Sequence, residues 1–257
     1  MRLKDKVAII TGGAQGIGKS YAMGFADEGA KVVIADINLE AAKATAETIR
    51  ERGGQALAIR TDVSSLEDTQ EMVRKTVERF GRVDILVNNA AIFGRVPISR
   101  AAPFYELELS EWDRTWEVNV KGIFLCCRAV FPHMKAQGGG KIINISSTQF
   151  YRGGSPYLKY AHYVAQKGAI IGLTRALARE LGEYNINVNC IAPGSTFSEE
   201  PTDTAALERR KKAAERRAIK RVEYPDDLVG TAVFLASSDS DFVSGQTIVV
   251  DGGDIMH

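Results

Sequence analysis

Seven short runs of apolar and β-branched residues recur along the chain, separated by longer segments with a helical pattern. The runs are KVAIIT, KVVIAD, ALAIR, DILVNN, KIINIS, INVNCIA and QTIVVDGG. They do not alternate between apolar and polar residues, which is typical of strands covered on both faces, as in a parallel sheet. The regular exchange of strand and helix therefore predicts an α/β fold: a doubly wound, seven-stranded parallel sheet with helices on both faces.

The sequence contains no feature that indicates a domain boundary. The 257 residues contain no linker rich in proline or glycine, no shift in composition and no repeat, so we expect one domain over residues 1–257. The segment SEWDRTWEVNVKGIFLCCRAVFPHMKAQGGG starts at Ser110, has Asp113 three residues later and ends in three glycines. This pattern is close to a capping box and predicts a helix that opens on Ser110 and stops at the glycines.

Charge and cysteine content exclude several classes of protein. Lys and Arg number 33 against 32 Asp and Glu, so no overall field attracts nucleic acid or an anionic membrane. No apolar stretch approaches the roughly 18 residues of a membrane span, and the N-terminal apolar run is too short for a signal peptide. Cys126, Cys127 and Cys190 make no disulfide framework, and three scattered histidines without ligand-spaced cysteines indicate no metal site. We expect a cytoplasmic protein with buried, reduced thiols.

The segment TGGAQGIG follows the first predicted strand and opens the first predicted helix. Its Gly12, Gly16 and Gly18 have the setting of a dinucleotide-binding fingerprint. In such a site the first glycine permits a tight turn, the second lets the backbone approach a pyrophosphate, and the third lets helix and strand touch. The N-terminus of the helix then offers amide donors to the phosphates.

Asp36 ends the second predicted strand, at about the distance from the glycines where an acidic residue binds the adenosine ribose. A carboxylate there repels a 2′-phosphate, and Gln15 carries no positive charge that would attract one. NAD is therefore favoured over NADP. The alternative is that Asp36 only caps the helix that begins near Asn38.

Tyr163 and Lys167 lie four residues apart in HYVAQKGAIIG, so a helix places them on one face. By itself this pair also fits a half-exposed tyrosine beside a solvated lysine. The rest of the chain must decide between the two interpretations.

Several motifs occur in the order shared by short-chain dehydrogenase/reductases, and the chain resembles this family over essentially its whole length. The resemblance implies a single-domain Rossmann-type fold, NAD as cofactor, hydride transfer between NAD(H) and a small-molecule secondary alcohol or ketone, and a homotetramer. The motifs are TGGAQGIG, Asp62-Val63, NNAA at 88–91, Asn119, ISS at 145–147, Tyr163-x-x-x-Lys167, Pro193-Gly194 and the closing SGQTIVVDGG.

The resemblance also implies roles for individual residues. Three places depart from the family pattern. Ala91 stands where glycine is usual, Thr196 and Ser198 stand where isoleucine or valine and then threonine are common, and the stretch from Ser147 to Tyr163 is about three residues longer than usual. The implied catalytic group is Asn119, Ser147, Tyr163 and Lys167. The implied cofactor-binding residues are Gly12, Gln15, Gly16, Ile17, Gly18, Asp36, Ile37, Asp62, Val63, Asn89, Ala90, Ala91, Tyr163, Lys167, Pro193, Gly194, Thr196 and Ser198.

The expected chemistry rests on an ammonium that acidifies a phenol. A free phenol has a pKa near 10, and an ammonium about 4 Å away, at an effective dielectric constant near 20, lowers it by up to roughly 3 units. Tyr163 then serves as general acid and base, while the Ser147 hydroxyl holds the substrate oxygen. The resemblance implies that Asn119 holds a water molecule that links Lys167 to solvent.

Three segments are expected to form the substrate side of the site: residues 92–109, 148–160 and 195–222. Their aromatic residues favour an aromatic or apolar substrate, although the same rings can simply pack the loops onto the body. Part of SSTQFY and YAHY is similar to bacterial 1-phenylethanol dehydrogenases, which points to an aryl alcohol. The aromatic residues are Phe93, Phe104, Phe150, Tyr151 and Tyr157.

Two alternatives to this function stay open. The first is an NADPH-dependent reductase of 3-oxoacyl thioesters. It would fit the basic segment LERRKKAAERRAIKR if that segment attracts an anionic substrate rather than forming a solvated helix face. The second is a non-catalytic protein that senses NAD(H), which the intact Ser147, Tyr163 and Lys167 argue against.

Overall fold

Seven parallel strands form one sheet with helices on both faces, as predicted. The computed structural model describes residues 1–92, 103–154, 160–198 and 204–256. The strands are β1 Val7–Thr11, β2 Lys31–Asp36, β3 Gln55–Arg60, β4 Ile85–Asn88, β5 Gly140–Ile145, β6 Ile186–Pro193 and β7 Thr247–Val250. The helices are α1 Gly16–Asp27, α2 Leu39–Glu51, α3 Leu66–Phe80, α4 Leu109–Trp116, α5 Gly122–Ala136, α6 Gln149–Arg152, α7 Ala161–Leu181, α8 Thr204–Arg216 and α9 Asp226–Ala236.

The order of the strands creates a crevice at the centre of the sheet. The order is β3-β2-β1-β4-β5-β6-β7, so the chain moves outward from β1 to β3, returns to β4 beside β1, and then moves outward in the other direction. Ala8 of β1 pairs with Val32 on one side and with Ile85 on the other. In open sheets of this kind, ligands bind at the carboxyl ends of the strands where the direction of winding reverses.

Burial on both faces explains why the strand sequences are uniformly apolar. Neighbouring residues of a strand point to opposite faces. Ala8 and Ile10 belong to the apolar cluster that includes Phe25 of α1, whereas Ile9 belongs to the cluster that includes Val130 of α5. Both faces of β1 are therefore core.

Local capping chemistry sets several helix boundaries. The Asn38 side chain accepts a hydrogen bond from Ala41 N at the start of α2, and Ser65 accepts one from Asp68 N at the start of α3. The predicted start at Ser110 is wrong. Helix α4 begins one residue earlier, at Leu109, with Glu108 as its N-cap and no side-chain capping bond, so Ser110 lies inside the first turn.

The long helix predicted from Ser110 to the glycines is interrupted. After α4, residues Glu117–Lys121 form a π-helical turn, and α5 follows directly. Single π-helical turns inside α-helices are frequently found at functional sites. Pro132 lies inside α5, and the chain leaves the helix at Gln137.

The cysteines and the helices agree with two further expectations. Cys126, Cys127 and Cys190 are all buried and unpaired by disulfides. Burial raises the pKa of the Cys127 and Cys190 thiols to about 12, so both are protonated at neutral pH. None of the helices in the part of the chain described above has the length and apolarity to cross a bilayer.

Candidate active site

A cleft of about 450 Å³ opens at the central crevice of the sheet. It is lined by every residue predicted to bind a cofactor, and also by Ser147. Asn119 is not among the lining residues and lies behind the cleft, 1% exposed. The sequence motifs, which are spread over almost 190 residues of chain from Gly12 to Ser198, therefore meet in one place.

The glycine loop is shaped by the absence of side chains. Gly12 adopts φ +62, and a Cβ there would lie 2.8 Å from the Cα of Ala90. A Cβ on Gly18 would collide with the carbonyl oxygen of Gly12. The Gln15 side chain makes no capping bond at the N-terminus of α1. The glycine loop is therefore a narrow backbone cradle, and the backbone amides at the N-terminus of α1 have no cap from the Gln15 side chain. Such a site fits the pyrophosphate of a dinucleotide.

Asp36 ties the glycine loop to the end of β2. Its carboxylate accepts hydrogen bonds from Ala14 N at 3.1 Å and from Asn38 N at 3.0 Å. The side chain that caps α2 is that of Asn38, so the helix does not depend on Asp36 for its cap. The nearest strand neighbour, Arg60, gives its guanidinium to Asp68 at 2.8 Å. The carboxylate of Asp36 lines the cleft, and no salt bridge is found for it among the described residues.

Asn89 joins the ends of the two central strands. Its side-chain amide donates to Thr11 O at 3.1 Å and to Gly12 O at 3.0 Å, while its backbone N–H donates to the Thr11 hydroxyl. The preceding Asn88 points the other way, into the core, and donates to Asn144 Oδ1 at 2.9 Å. Asn89 therefore holds the glycine loop against β4.

Arg114 is a lining residue that sequence reasoning missed. It reaches from α4 to the Ser64 hydroxyl at 3.0 Å and lies 3.6 Å from the carboxylate of Asp62. Burial opposes the charge on Asp62, but hydrogen bonds from Ser64 and the charge of Arg114 lower its pKa overall. Nothing in the motif order marks Arg114, because its partners lie some 50 residues away in the chain.

Helix α7 brings Tyr163 and Lys167 to the same space, as its i, i+4 spacing predicts. The Lys167 ammonium nitrogen lies 5.4 Å from the centre of the Tyr163 ring and donates to the carbonyl oxygen of Ile145 at 2.8 Å. Ser147, just beyond β5, makes a hydrogen bond with the Tyr163 hydroxyl. Ser146 instead donates to the backbone carbonyl of Lys167 at 2.7 Å. The second serine of the motif is therefore the one beside Tyr163.

The expected acidification of Tyr163 is wrong in direction for these side chains. Burial raises the pKa of Tyr163 above its ordinary value, and the hydrogen bond from Ser147 opposes this only in part. Burial also lowers the pKa of Lys167 to about 8. The estimate from pairwise charge alone fails because both groups lie out of water, where losing hydration disfavours each charged form.

Asn119 belongs to a buried chain of amides behind the cleft. It lies in the π-helical turn, and its side chain accepts from Ile92 N at 2.8 Å and donates to Ile92 O at 2.7 Å. Its second N–H donates to Gln166 Oε1 at 2.8 Å, and Gln166 Nε2 donates to the Thr115 hydroxyl at 2.7 Å. The side-chain donors of Asn119 are thus used within the protein.

Gln166 is a second residue that sequence reasoning missed. It is fully buried and directly precedes Lys167 on α7. A polar residue on the same apolar helix face as Tyr163 was the available signal. Through Gln166 and Asn119, helix α7 is joined to the π-helical turn and to the backbone that follows β4.

The aromatic wall predicted on the substrate side is not found among the residues that the structure describes. Phe104 is 75% exposed and packs edge-on against Tyr105, while Phe150 packs against Tyr151. None of these rings lines the cleft. Phe93 and Tyr157 lie outside the described residues. The ring next to the candidate acid/base is that of Tyr160, whose centre lies 5.6 Å from that of Tyr163.

In the basic segment, three of the surface side chains that the structure describes are paired with nearby carboxylates. Lys211 lies 3.0 Å from Glu208, Arg216 lies 3.5 Å from Asp254, and Arg221 lies 2.6 Å from Asp227. These contacts favour a solvated, locally neutralised surface over a site that attracts an anionic substrate.

Comparison with known proteins identifies the family. A family model described as enoyl-(acyl carrier protein) reductase matches residues 12–254. Galactitol 2-dehydrogenase of Agrobacterium fabrum is 42% identical over 100% of both chains. The (2S)-[(R)-hydroxy(phenyl)methyl]succinyl-CoA dehydrogenase subunit BbsD of Thauera aromatica is 40% identical over 98% of both. The chain belongs to the short-chain dehydrogenase/reductase family.

The fold of this short-chain dehydrogenase/reductase agrees with solved structures. The 3-ketoacyl-(acyl-carrier-protein) reductase from Brucella melitensis, solved in complex with NADH, superposes with a TM-score of 0.87 at 36% identity, covering 99% of this chain and 100% of that one. The predicted family and fold are confirmed. As a member of the family, the protein is an oxidoreductase that uses a nicotinamide cofactor and acts on alcohol or ketone groups.

Proposed function

We propose that the protein is an NAD-dependent oxidoreductase that interconverts a secondary alcohol and a ketone, with Tyr163 as general acid and base. One observation carries the proposal. A single cleft is lined both by the glycine loop with Asp36 and by Ser147, Tyr163 and Lys167. Residues 1–257 act as one catalytic unit in this proposal.

Residues of the glycine loop and Asp36 support NAD as the cofactor. The narrow backbone cradle at Gly12 and Gly18 holds the pyrophosphate, and the Asp36 carboxylate accepts hydrogen bonds from the adenosine ribose. Arg60, the basic residue beside Asp36 on β3, is paired with Asp68 and does not offset the repulsion of a 2′-phosphate. When bound, NAD accepts the hydride of the alcohol carbon and brings a positive charge to the cleft.

Tyr163 moves the proton of the substrate oxygen. Its raised pKa keeps the phenol protonated at neutral pH, which suits donation to a ketone oxygen during reduction. During oxidation of the alcohol, Tyr163 must act as a phenolate, and a nearby positive charge stabilises that form. Lys167 supplies this charge over the face of the Tyr163 ring. Ser147, within hydrogen-bond reach of Tyr163, holds the substrate oxygen in line with it. Asn119 and Gln166 keep α7 in position from behind.

The substrate is a secondary alcohol with an apolar or aromatic group that packs against Tyr160. The ring of Tyr160 beside Tyr163 supports this, and so does the relative from Thauera aromatica, whose name specifies a phenyl-bearing hydroxyl carbon. The same name specifies a CoA thioester, and the Brucella melitensis structure is a 3-ketoacyl reductase. Reduction of a 3-oxoacyl thioester is therefore the second candidate.

Two titrations and one panel of substrates test the proposal. We expect NADH to bind at least 10-fold more tightly than NADPH, and aryl secondary alcohols to give a signal at the absorbance band of reduced nicotinamide. Preference for NADPH together with turnover of 3-oxoacyl thioesters would replace the proposal by the second candidate. Tight NADH binding with no turnover across alcohols, ketones and thioesters would leave only a cofactor-sensing protein.

We also propose a homotetramer in the cytoplasm. The partly exposed apolar side chains of Trp112 on α4 and Phe124 on α5 support burial of these helices against other subunits. Unpaired, buried thiols fit a reducing compartment. Light scattering coupled to size exclusion should give a mass near four times 28.0 kDa; a monomer at micromolar concentration would contradict the assembly.

A further inference from the structure

Arg217 departs from the other basic residues of its segment. It follows directly after α8, yet it is only 1% exposed and is one of the largest fully buried side chains of the described residues. Its Nη2 donates to Ser195 O at 3.0 Å and to Glu223 Oε2 at 3.0 Å, and its Nη1 donates to Arg221 O at 2.9 Å. Arg217 is thus a buried cation that binds the loop 193–198, and Pro193, Gly194, Thr196 and Ser198 of this loop line the cleft.

Glu223 holds the same loop from the other side of the ion pair. It is 4% exposed, and its Oε1 accepts a hydrogen bond from the Thr196 hydroxyl at 2.7 Å. Its backbone oxygen accepts from Phe197 N at 2.7 Å, within a short parallel bridge between Thr196 and Glu223. The carboxylate and the backbone of one residue therefore both fix the loop.

The loop is in turn shaped around the ion pair. A Cβ on Gly194 would lie 2.5 Å from Glu223 Oε2 and 3.2 Å from Arg217 Nη2, so a side chain at this position would displace the pair. The Arg217 side chain also packs against the turn after β7. A Cβ on Gly252 in that turn would lie 3.2 Å from Arg217 Cδ. The pair is enclosed between two glycines that leave room for it.

A gain in folding stability alone does not explain why a protein would bury the ion pair of Arg217 and Glu223. Taking two charges out of water costs several kcal/mol per ion, and well-packed apolar residues often replace a buried ion pair at no loss of stability. In some proteins, buried polar or ionic groups are retained because they specify one conformation. The geometry specified here is that of Gly194, Ser195 and Thr196.

We propose that Arg217 and Glu223 are a positioning pair for the nicotinamide half of the cofactor. The pair fixes the backbone of residues 194–197 against the end of α8 and the turn at Gly252, and so sets how tightly the loop can hold the ring. This inference rests on the proposed function, because it assumes that residues 193–198 contact the nicotinamide.

The test uses two ligands that share the adenosine and pyrophosphate but differ in the ring. NADH and ADP-ribose are titrated against the purified full chain and against Arg217→Met, Glu223→Gln and the double variant Arg217→Met/Glu223→Leu. Each single variant should weaken NADH binding about 10-fold or more and leave ADP-ribose binding within about 2-fold. Because the singles leave one charge buried and unpaired, their melting temperatures should also fall.

The double variant separates positioning from folding. Removing both charges should return the melting temperature toward that of the wild type, while NADH binding stays weak. If the double variant recovers NADH binding along with its melting temperature, the pair serves folding only and the inference is wrong. Equal losses for NADH and ADP-ribose would also overturn it.

The more exposed pair of Arg221 and Asp227 is the matched control, since it lies close in the chain and has similar chemistry, and its carboxylate pairs with Arg221 and not with Arg217. Asp227→Asn should leave NADH binding within about 2-fold, and a loss as large as that of Glu223→Gln would contradict a specific role. Wild-type protein that binds ADP-ribose but not NADH would defeat the proposed function itself. If the wild type binds NADH and the Arg217 and Glu223 variants bind it equally well, only this inference is wrong.

Discussion

Lys167 and the basic segment 207–221 carry positive charge in opposite settings. Lys167 is 4% exposed and donates to a backbone carbonyl, and burial lowers its pKa to about 8. Lys211 of α8 has a side chain that is 56% exposed and is paired with Glu208 one turn away. The buried ammonium of Lys167 has altered chemistry, whereas the exposed ammonium of Lys211 is paired with a carboxylate and screened by solvent. The difference teaches that burial, and not the number of charges, selects the cation that can do chemistry.

The largest expected effect lies in the buried region. Tyr163→Phe removes the hydroxyl that exchanges the proton, so turnover should fall by about 10² to 10⁴-fold. The ring stays in place, so NADH binding should stay close to that of the wild type. Steady-state rates at the reduced-nicotinamide band and a fluorescence titration measure the two quantities. Retained turnover in this variant would show that another group moves the proton.

Lys167 should make stability depend on pH. Its pKa is about 8 in the folded chain against an ordinary value of 10.5, so between these values the unfolded chain holds a proton that the folded chain has released. Stability from this group therefore rises with pH across that window, by up to roughly 3 kcal/mol.

Lys167→Met isolates this pH effect. Its free energy of unfolding relative to the wild type should decrease as pH rises from about 8 toward 10.5, because only the wild type gains there. Urea unfolding at a series of pH values measures the difference, and titration of other groups cancels between the two chains. A constant difference across the window would show that the pKa of Lys167 is not lowered by burial.

Gln166 should show a smaller effect in the same buried region. Gln166→Leu keeps the size but leaves an N–H of Asn119 without its acceptor, which costs about 1–3 kcal/mol, and removes the donor to the Thr115 hydroxyl, which still donates to Trp112 O. Turnover should fall less than in Tyr163→Phe. Thr115→Val is the matched change at the end of the chain of amides, and the two substitutions should be non-additive in a double-mutant cycle. Strict additivity would mean that the network does not act as a unit.

The exposed region should give the smallest effect. Lys211→Gln removes an exposed ion pair, which is worth about 0.2–1 kcal/mol at most, and turnover should change less than 2-fold. The Michaelis constant for the substrate should be nearly independent of salt between 0.05 and 0.3 M. A steep salt dependence would instead support attraction of an anionic substrate by the basic segment.

Much of the fold follows from local pattern. Strands such as Val7–Thr11 were predictable because residues buried on both faces must all be apolar, and Asn38 marks the start of α2 through its own capping bond. The start of α4 and the π-helical turn at Asn119 were not predictable. The pattern of apolar residues does not locate the first residue of a helix to within one position. The π-helical turn depends on the hydrogen bonds of Asn119 with Ile92 and Gln166, which are distant in the chain.

By itself, the sequence determined the alternation of strand and helix, the glycine loop and the spacing of Tyr163 and Lys167, because each depends on residues close together in the chain. Only the tertiary structure decided the protonation of Tyr163, the place of Arg114 and Gln166, and the burial of Arg217. These depend on which distant residues exclude water around a group, and hydration is a property of the folded surroundings.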